Sequence, residues 1–275
     1  FSSLQTSAPL VYQEMSKLAF FTSPTIRKNQ LLRAFSQLNG LTQSRVPIGE
    51  VRTDALEINF DRRFSKGFTL NVNYTRLRND TADFFFNEYD ELPTWRESNL
   101  GRPHRVAGSG IIELPFGRGK RWARSGVWNA VFGGFQLAAT FEWQPGPLLD
   151  WPNLFYYVDI NDIKNNGRNL EQWFTTANFE RDVSKAPAAF HRRVFPTRID
   201  GVRADGLNRW DTNLQRKFKI RENLTFELRL DALNLFNRSQ FSAPVTNPIS
   251  TDFGKVVAEE ATTKRFFQIQ ARIRF

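Results

Sequence analysis

Seven stretches of about ten residues alternate apolar and polar side chains at every second position, and this pattern constrains the fold more than any other feature of the chain. A period of two marks a β-strand with one apolar and one polar face. In the first stretch Leu56, Ile58 and Phe60 alternate with Glu57, Asn59, Asp61 and Arg63. The turn Ser65-Lys66-Gly67 follows, and then Phe68, Leu70, Val72 and Tyr74 alternate with Thr69, Asn71, Asn73 and Thr75, so the two stretches form a hairpin. Val106 to Leu114 is a weaker strand, because Ile111 interrupts its polar parity. Phe135, Leu137, Ala139, Phe141 and Trp143 interleave with Gln136, Thr140 and Glu142. Trp210 to Phe218, Leu224 to Ala232 and Phe267 to Phe275 complete the set, with Lys217, Glu227, Arg229, Asp231, Arg272 and Arg274 on the polar parity.

Composition narrows the options without deciding among them. The chain has 275 residues, no Cys, and 27 Phe. Without Cys there is no disulfide framework, Cys-based zinc site or thiol nucleophile. Mean hydropathy is −0.47, and no apolar run approaches the ~18 residues of a membrane-spanning helix. No signal peptide opens the chain, which starts at Phe1 without Met, as an excised or processed piece would. The net charge of +10 taken alone suggests an anionic partner.

Strand length and connection length favour a membrane wall over a soluble sandwich. Strands of about ten residues cross a bilayer when tilted. Compact connections at residues 65–67, 115–134 and 221–223 alternate with long ones at 78–103, 145–209 and 238–262. Short periplasmic turns and long external loops are the pattern of outer-membrane barrels. On that reading Tyr74, Trp143 and Trp210 form an external aromatic girdle, and Phe64, Phe68, Phe135, Phe218 and Phe275 form a periplasmic one. Arg62, Arg76 and Arg216, the charges on the apolar parity, are expected at strand ends, where an Arg in lipid costs about 0–1 kcal/mol. Seven strands cannot close, and open edges are not tolerated in hydrocarbon. The expected fold class is therefore all-β: an antiparallel transmembrane β-barrel segment of about seven C-terminal strands from a larger barrel. Residues 1–53, with a helix-like patch at 30–38, are expected to be an external loop region, and residues 54–275 the barrel strands and loops.

Several runs carry a family resemblance. Arg102-Pro-His-Arg-Val, Ile112-Glu-Leu-Pro-Phe-Gly, Gly133-Gly-Phe-Gln-Leu-Ala and Trp143-Gln-Pro-Gly-Pro-Leu are followed in order by Trp173-Phe-Thr-Thr-Ala-Asn-Phe, Asn208-Arg-Trp-Asp-Thr-Asn-Leu and Asp231-Ala-Leu-Asn-Leu-Phe-Asn-Arg-Ser-Gln-Phe. From about Asn29 to Phe275 the chain resembles the C-terminal barrel of Oar-like TonB-dependent outer-membrane receptors, which carry a carboxypeptidase-regulatory-like domain. The resemblance implies a barrel of about 22 strands, with a plug and N-terminal domains that are absent from this sequence. It also implies binding of a large or scarce solute (siderophore, glycan or peptide) at external loops, and its passage inward when TonB pulls on the missing plug.

Two residue sets are candidate sites. Phe267, Ile269, Ala271, Ile273 and Phe275 resemble the assembly signal that the barrel assembly machinery reads by edge pairing. Glu57, Asp61, Arg63, Glu142, Lys217, Glu227, Arg229, Asp231, Arg272 and Arg274 are expected to face the lumen, with Glu227 and Asp231 near Arg272 and Arg274 in a ladder of ion pairs.

Other chemistry is thin, and the chain reads as a non-enzyme without a cofactor. Gly117-Arg-Gly-Lys120 fails as a phosphate loop, because Leu114 stands in place of the first Gly and Arg121 follows the Lys. Residues 115–134 read instead as an interfacial periplasmic linker. The acidic run 159–167 has Lys164 where a helix-loop-helix calcium site needs Gly. His104 and His191 lack partners at motif spacing. The expected partners are outer-membrane lipid and lipopolysaccharide, the assembly machinery, TonB through the plug and an unknown solute, with no nucleic acid. The alternative function is a structural or adhesive surface protein in which loop aromatics such as Phe84, Phe85, Phe86, Tyr89 and Trp95 bind a partner surface.

Overall fold

A computed structural model describes residues 2–32, 35–38, 45–87, 90–164, 167–188, 191–260 and 264–275. Phe1, residues 33 and 34 of the expected helical patch, Tyr89, Asn165 and Asn166 of the acidic run, and Thr262 lie outside the described residues. The chain divides into two compact units, residues 1–48 and 49–275.

The first unit contains short helices: α1 (Ser3–Ser7), α2 (Pro9–Ser16), α3 (Ala19–Thr22) and α4 (Lys28–Leu31). Pro9 opens α2, where its missing N–H and fixed φ cost nothing. Of the helical patch expected at 30–38, Gln30 and Leu31 belong to α4 and residues 35–38 form turns and a bend, whereas α1, α2 and α3 lie where alternation and proline spacing did not indicate helix.

The second unit is built on one antiparallel sheet of eight strands: β1 (Glu50–Ser65), β2 (Phe68–Phe84), β3 (Thr94–Glu97), β4 (His104–Glu113), β5 (Phe135–Gln144), β6 (Leu207–Arg221), β7 (Leu224–Leu233) and β8 (Phe266–Arg274). The order is β1-β2-β4-β5-β6-β7-β8, with the four-residue β3 paired to the far end of β2. Sequential antiparallel pairing follows from turns that let each strand fold back on its predecessor. Lys66 and Gly67 both have positive φ, 53° and 87°, so the right-handed strand twist runs through a primed two-residue turn. Among the described residues β1 and β8 do not pair, and they form the two edges of the sheet.

Two expectations about connections are corrected. Residues 78–103 are not all loop: β1 and β2 stay paired out to Glu50 and Ala82, and β3 extends the ladder. Tyr74 and Arg76 therefore lie within a strand and not at its end. At about 3.3 Å per residue, β2 continues some 33 Å beyond Tyr74. Residues 76–84 are mostly polar on both faces, so the apolar–polar alternation stops there although the strand continues.

Residues 145–206 are also not structureless. They fold with residues 234–260 into a cap whose irregular backbone surrounds a buried core of Leu149, Trp151, Leu154, Ile163, Trp173, Phe174, Phe179, Phe195, Ile199, Val202, Ala204 and Phe253. Phe174 is 0% exposed. The cap has no long ladder, so backbone polar groups are satisfied across segments: Trp151 N–H donates to Thr197 O at 2.8 Å, Trp173 N–H to Gly254 O at 2.8 Å, and Ala204 N–H to Pro147 O at 2.8 Å. The buried core thus lies in the loops, whereas the apolar face of the sheet is uncovered: Ile269 is 73% exposed and Ile58 54%.

Candidate functional site

Strand register sorts the side chains onto two faces. Ile58, Tyr74, Val106 and Trp143 lie abreast across four strands, and Phe141 lies beside Trp210 one step further on. This brings Tyr74, Trp143 and Trp210 to neighbouring heights on the apolar face. Tyr74 stacks on His104 and bonds its Nδ1 through the phenol at 2.9 Å, which gives the polar tip of the ring a partner. Phe68, Phe135 and Phe218 lie on the same face at the short-turn end. Phe64 falls in the register shift before Ser65, and Phe275 follows the end of β8 fully exposed.

The opposite face is polar from β1 to β8. Asn71 donates to Asn59 at 3.3 Å, and Gln215 to Gln136 at 3.1 Å. Arg105 pairs with Glu142 at 2.8 Å. Glu57 faces Thr75 and Asp61 faces Asn71, whereas Arg63 lies in the register shift. Lys217, Glu227 and Arg272 lie abreast on β6, β7 and β8, and Arg274 pairs with Glu227 at 3.3 Å. Asp231 is not brought to Arg272 or Arg274. It faces Gln268 and takes bonds from Arg229 on its own strand at 2.8 Å and from Asn213 at 2.5 Å. Two-residue spacing puts Arg229 and Asp231 on one face of one strand, closer than the cross-strand candidates.

The Asn234-Leu-Phe-Asn237 box is a structural turn. Asn234 and Asn237 hold left-handed φ of 50° and 51°, which Asn tolerates better than most residues. The Asn234 amide group accepts from Arg238 N–H at 3.0 Å and donates to Arg238 O at 2.9 Å, and its backbone N–H donates to Asp211 at 2.7 Å. The box thereby ends β7 and starts the second cap segment.

A cleft of about 720 Å³ lies where the cap segment 196–203 meets β3 and the far ends of β1 and β2. Arg52, Arg76, Arg78, Arg96, Arg198 and Arg203 line it with Asp80, Glu97 and Asp200, beside Phe86 and Trp95. Arg198 donates to Asp150 at 2.7 Å and to Glu97 O at 2.9 Å, and Arg203 pairs with the Glu97 carboxylate. Arg52 lies over Trp95 at 4.2 Å. Burial pushes the Glu97 carboxyl above its ordinary range, a hydrogen bond with Asp200 adds to this, and Arg203 opposes without cancelling it. Such a lining can hold anionic or hydroxyl-rich solutes by forked N–H groups and an aromatic face. Sequence reading missed the cleft, because its arginines come from four segments between Arg52 and Arg203.

In the acidic run that departs from the calcium pattern, Asp159 Oδ1 accepts from Asn161 N–H at 2.9 Å and caps a short 3-10 turn. His104 is bonded to Tyr74, and His191 Nδ1 lies 2.6 Å from Arg192 O.

An apolar face left in the open, backed by a polar face across seven adjoining strands, suits a wall between lipid and water. No curated protein matches the chain. A family model described as an outer membrane beta barrel domain matches residues 5–270. With that match over nearly its whole length, the chain belongs to the outer membrane β-barrel domain family and resides in the bacterial outer membrane.

Proposed function

We propose that this chain forms part of the wall and the external recognition surface of an Oar-like TonB-dependent receptor that takes up a large or scarce solute. The observation that carries this reading is the continuous polar face from β1 to β8, whose amides and ion pairs suit a hydrated interior. The short turns then face the periplasm, and the cap and its arginine cleft face outward. The edges of β1 and β8 meet further strands of a larger barrel, since unpaired backbone groups are costly in hydrocarbon. The reading is binding and passage rather than catalysis.

The test is uptake by cells expressing the full-length protein, offered a panel of siderophores, glycans and peptides with and without a protonophore. Energy-dependent accumulation of one class, lost on deletion of the gene, is the expected result. Surface adhesion lost on deletion, with uptake of every class unchanged, would favour a structural or adhesive protein.

A further inference from the structure

The connection between β4 and β5 is more elaborate than a turn requires. Residues 114–134 contain Arg118, Lys120, Arg121 and Arg124 and no acidic residue. Lys120 is engaged by Glu113 at 2.5 Å, whereas Arg118, Arg121 and Arg124 are exposed and have no ion pair among the described residues. Within this segment α5 (Gly126–Phe132) holds Val127 and Trp128 outward, 76% and 68% exposed, with Val131 and Phe132 beside them. Trp128 and Phe132 stack, with centroids 5.8 Å apart. A soluble protein rarely leaves such a patch in water.

The segment is built, not loose. Gly117 and Gly133 approach closely, and a Cβ on Gly133 would fall 2.6 Å from Asn129 O and 3.0 Å from Gly117 Cα. Arg216 fixes where the helix lies. It projects from the apolar face of β6 between Phe135 and Phe218, with its guanidinium 5.3 Å and 4.2 Å from their rings, and donates to Val131 O at 2.8 Å. The carbonyl end of α5 is thus held on the side of the wall that meets lipid, at the short-turn rim.

We propose that α5 and its flanking arginines dock on the bilayer surface, with Val127, Trp128, Val131 and Phe132 in the acyl boundary and Arg118, Arg121 and Arg124 on the headgroups of anionic phospholipid. Charge complementarity selects that occupant: three guanidinium groups with no carboxylate partner among the described residues flank an apolar stripe, Arg124 bonding only Lys120 O at 3.0 Å and Arg121 lying over Trp122. The leaflet rests on the orientation proposed above, which makes it the periplasmic one.

The test uses the full-length protein in nanodiscs of phosphatidylcholine, with and without phosphatidylglycerol, carrying a nitroxide at Val127→Cys. The label is expected to meet dioxygen and to be shielded from a water-soluble nickel chelate when phosphatidylglycerol is present. Each of R118Q, R121Q and R124Q is expected to lower the preference for bound phosphatidylglycerol over phosphatidylcholine, read by native mass spectrometry, by about fivefold. Because these positions are exposed, the yield of folded, heat-modifiable protein stays unchanged and separates lost docking from lost folding. A label open to the nickel chelate in both lipids, as a protein partner's site would be, overturns the proposal, and so does shielding with no dependence on anionic lipid. Labelling of Lys66→Cys by an impermeant maleimide in whole cells would overturn the orientation, while a shielded, lipid-dependent label would still support the docking.

Discussion

Trp151 lies face to face with Phe179 in the cap, with centroids 5.9 Å apart and planes 5° from parallel. Phe174, Phe195 and Phe253 surround the pair. Truncating Phe179 to Ala removes a ring from a packed, dry site, which costs about 3–5 kcal/mol. The cap is expected to open locally. Hydrogen exchange across residues 145–206 should accelerate by two orders of magnitude or more, while the strands keep their heat-modifiable migration on gels.

A second expectation concerns Gly108. The ring of Phe141 covers it and in turn stacks on Trp210 at 4.8 Å. A Cβ at position 108 would meet that ring and lie 2.9 Å from the backbone oxygen of Asn71. G108V is expected to displace Phe141 and lower stability by about 1–3 kcal/mol. A lower temperature for loss of the folded band in detergent would register it, with Gly110→Ala as the milder neighbour for comparison.

The left-handed turn after β7 gives a third. Asn237→Val should cost about 1–2 kcal/mol, because a β-branched residue tolerates that conformation poorly, and Asn237→Gly should be close to neutral. Thermal unfolding of the two variants side by side checks the sign. Equal destabilisation by both would mean that the side chain matters more than the backbone.

Glu97 ties β3 to the cap, and its carboxyl titrates above the usual carboxylate range because burial disfavours the charge. The folded state therefore holds this proton more tightly than the unfolded state does. The associated stability is present below the ordinary carboxylate pKa and is lost as pH rises through the elevated one. Protection factors of residues 196–203, taken against the intrinsic exchange rate at each pH, should be higher in mild acid than at neutral pH, and E97Q should flatten the difference.

Phe275→Asp in the full-length protein is expected to reduce insertion without changing solute binding, if β8 is read by edge pairing. Heat-modifiable barrel in outer-membrane fractions measures this, and an unchanged yield would leave Phe275 as a rim residue only.

The wall was legible because alternation is a local signal. Phe135–Gln144 emerges with the same ends from sequence and structure, and the register places Tyr74, Trp143 and Trp210 near one level. The cap was not legible. Trp151, Phe174, Phe179 and Phe253 show neither a period of two nor one of 3.6, and their core exists only because distant segments converge. The continuation of β2 to Phe84 was hidden by the same logic, since a strand with polar residues on both faces loses its alternation. Arg216 could be read as a charge near a strand end, but not as the group that holds α5, because that contact joins positions 85 residues apart.

Phe253 reaches the cap from beyond β7, whereas most of the ring cluster it completes precedes β6. The chain must travel through β6 and back through β7 before that last ring can arrive. The ring cluster therefore stays incomplete until the β6–β7 hairpin is in place, and closure of the cap acts as a clasp that fastens both ends of this hairpin on one side.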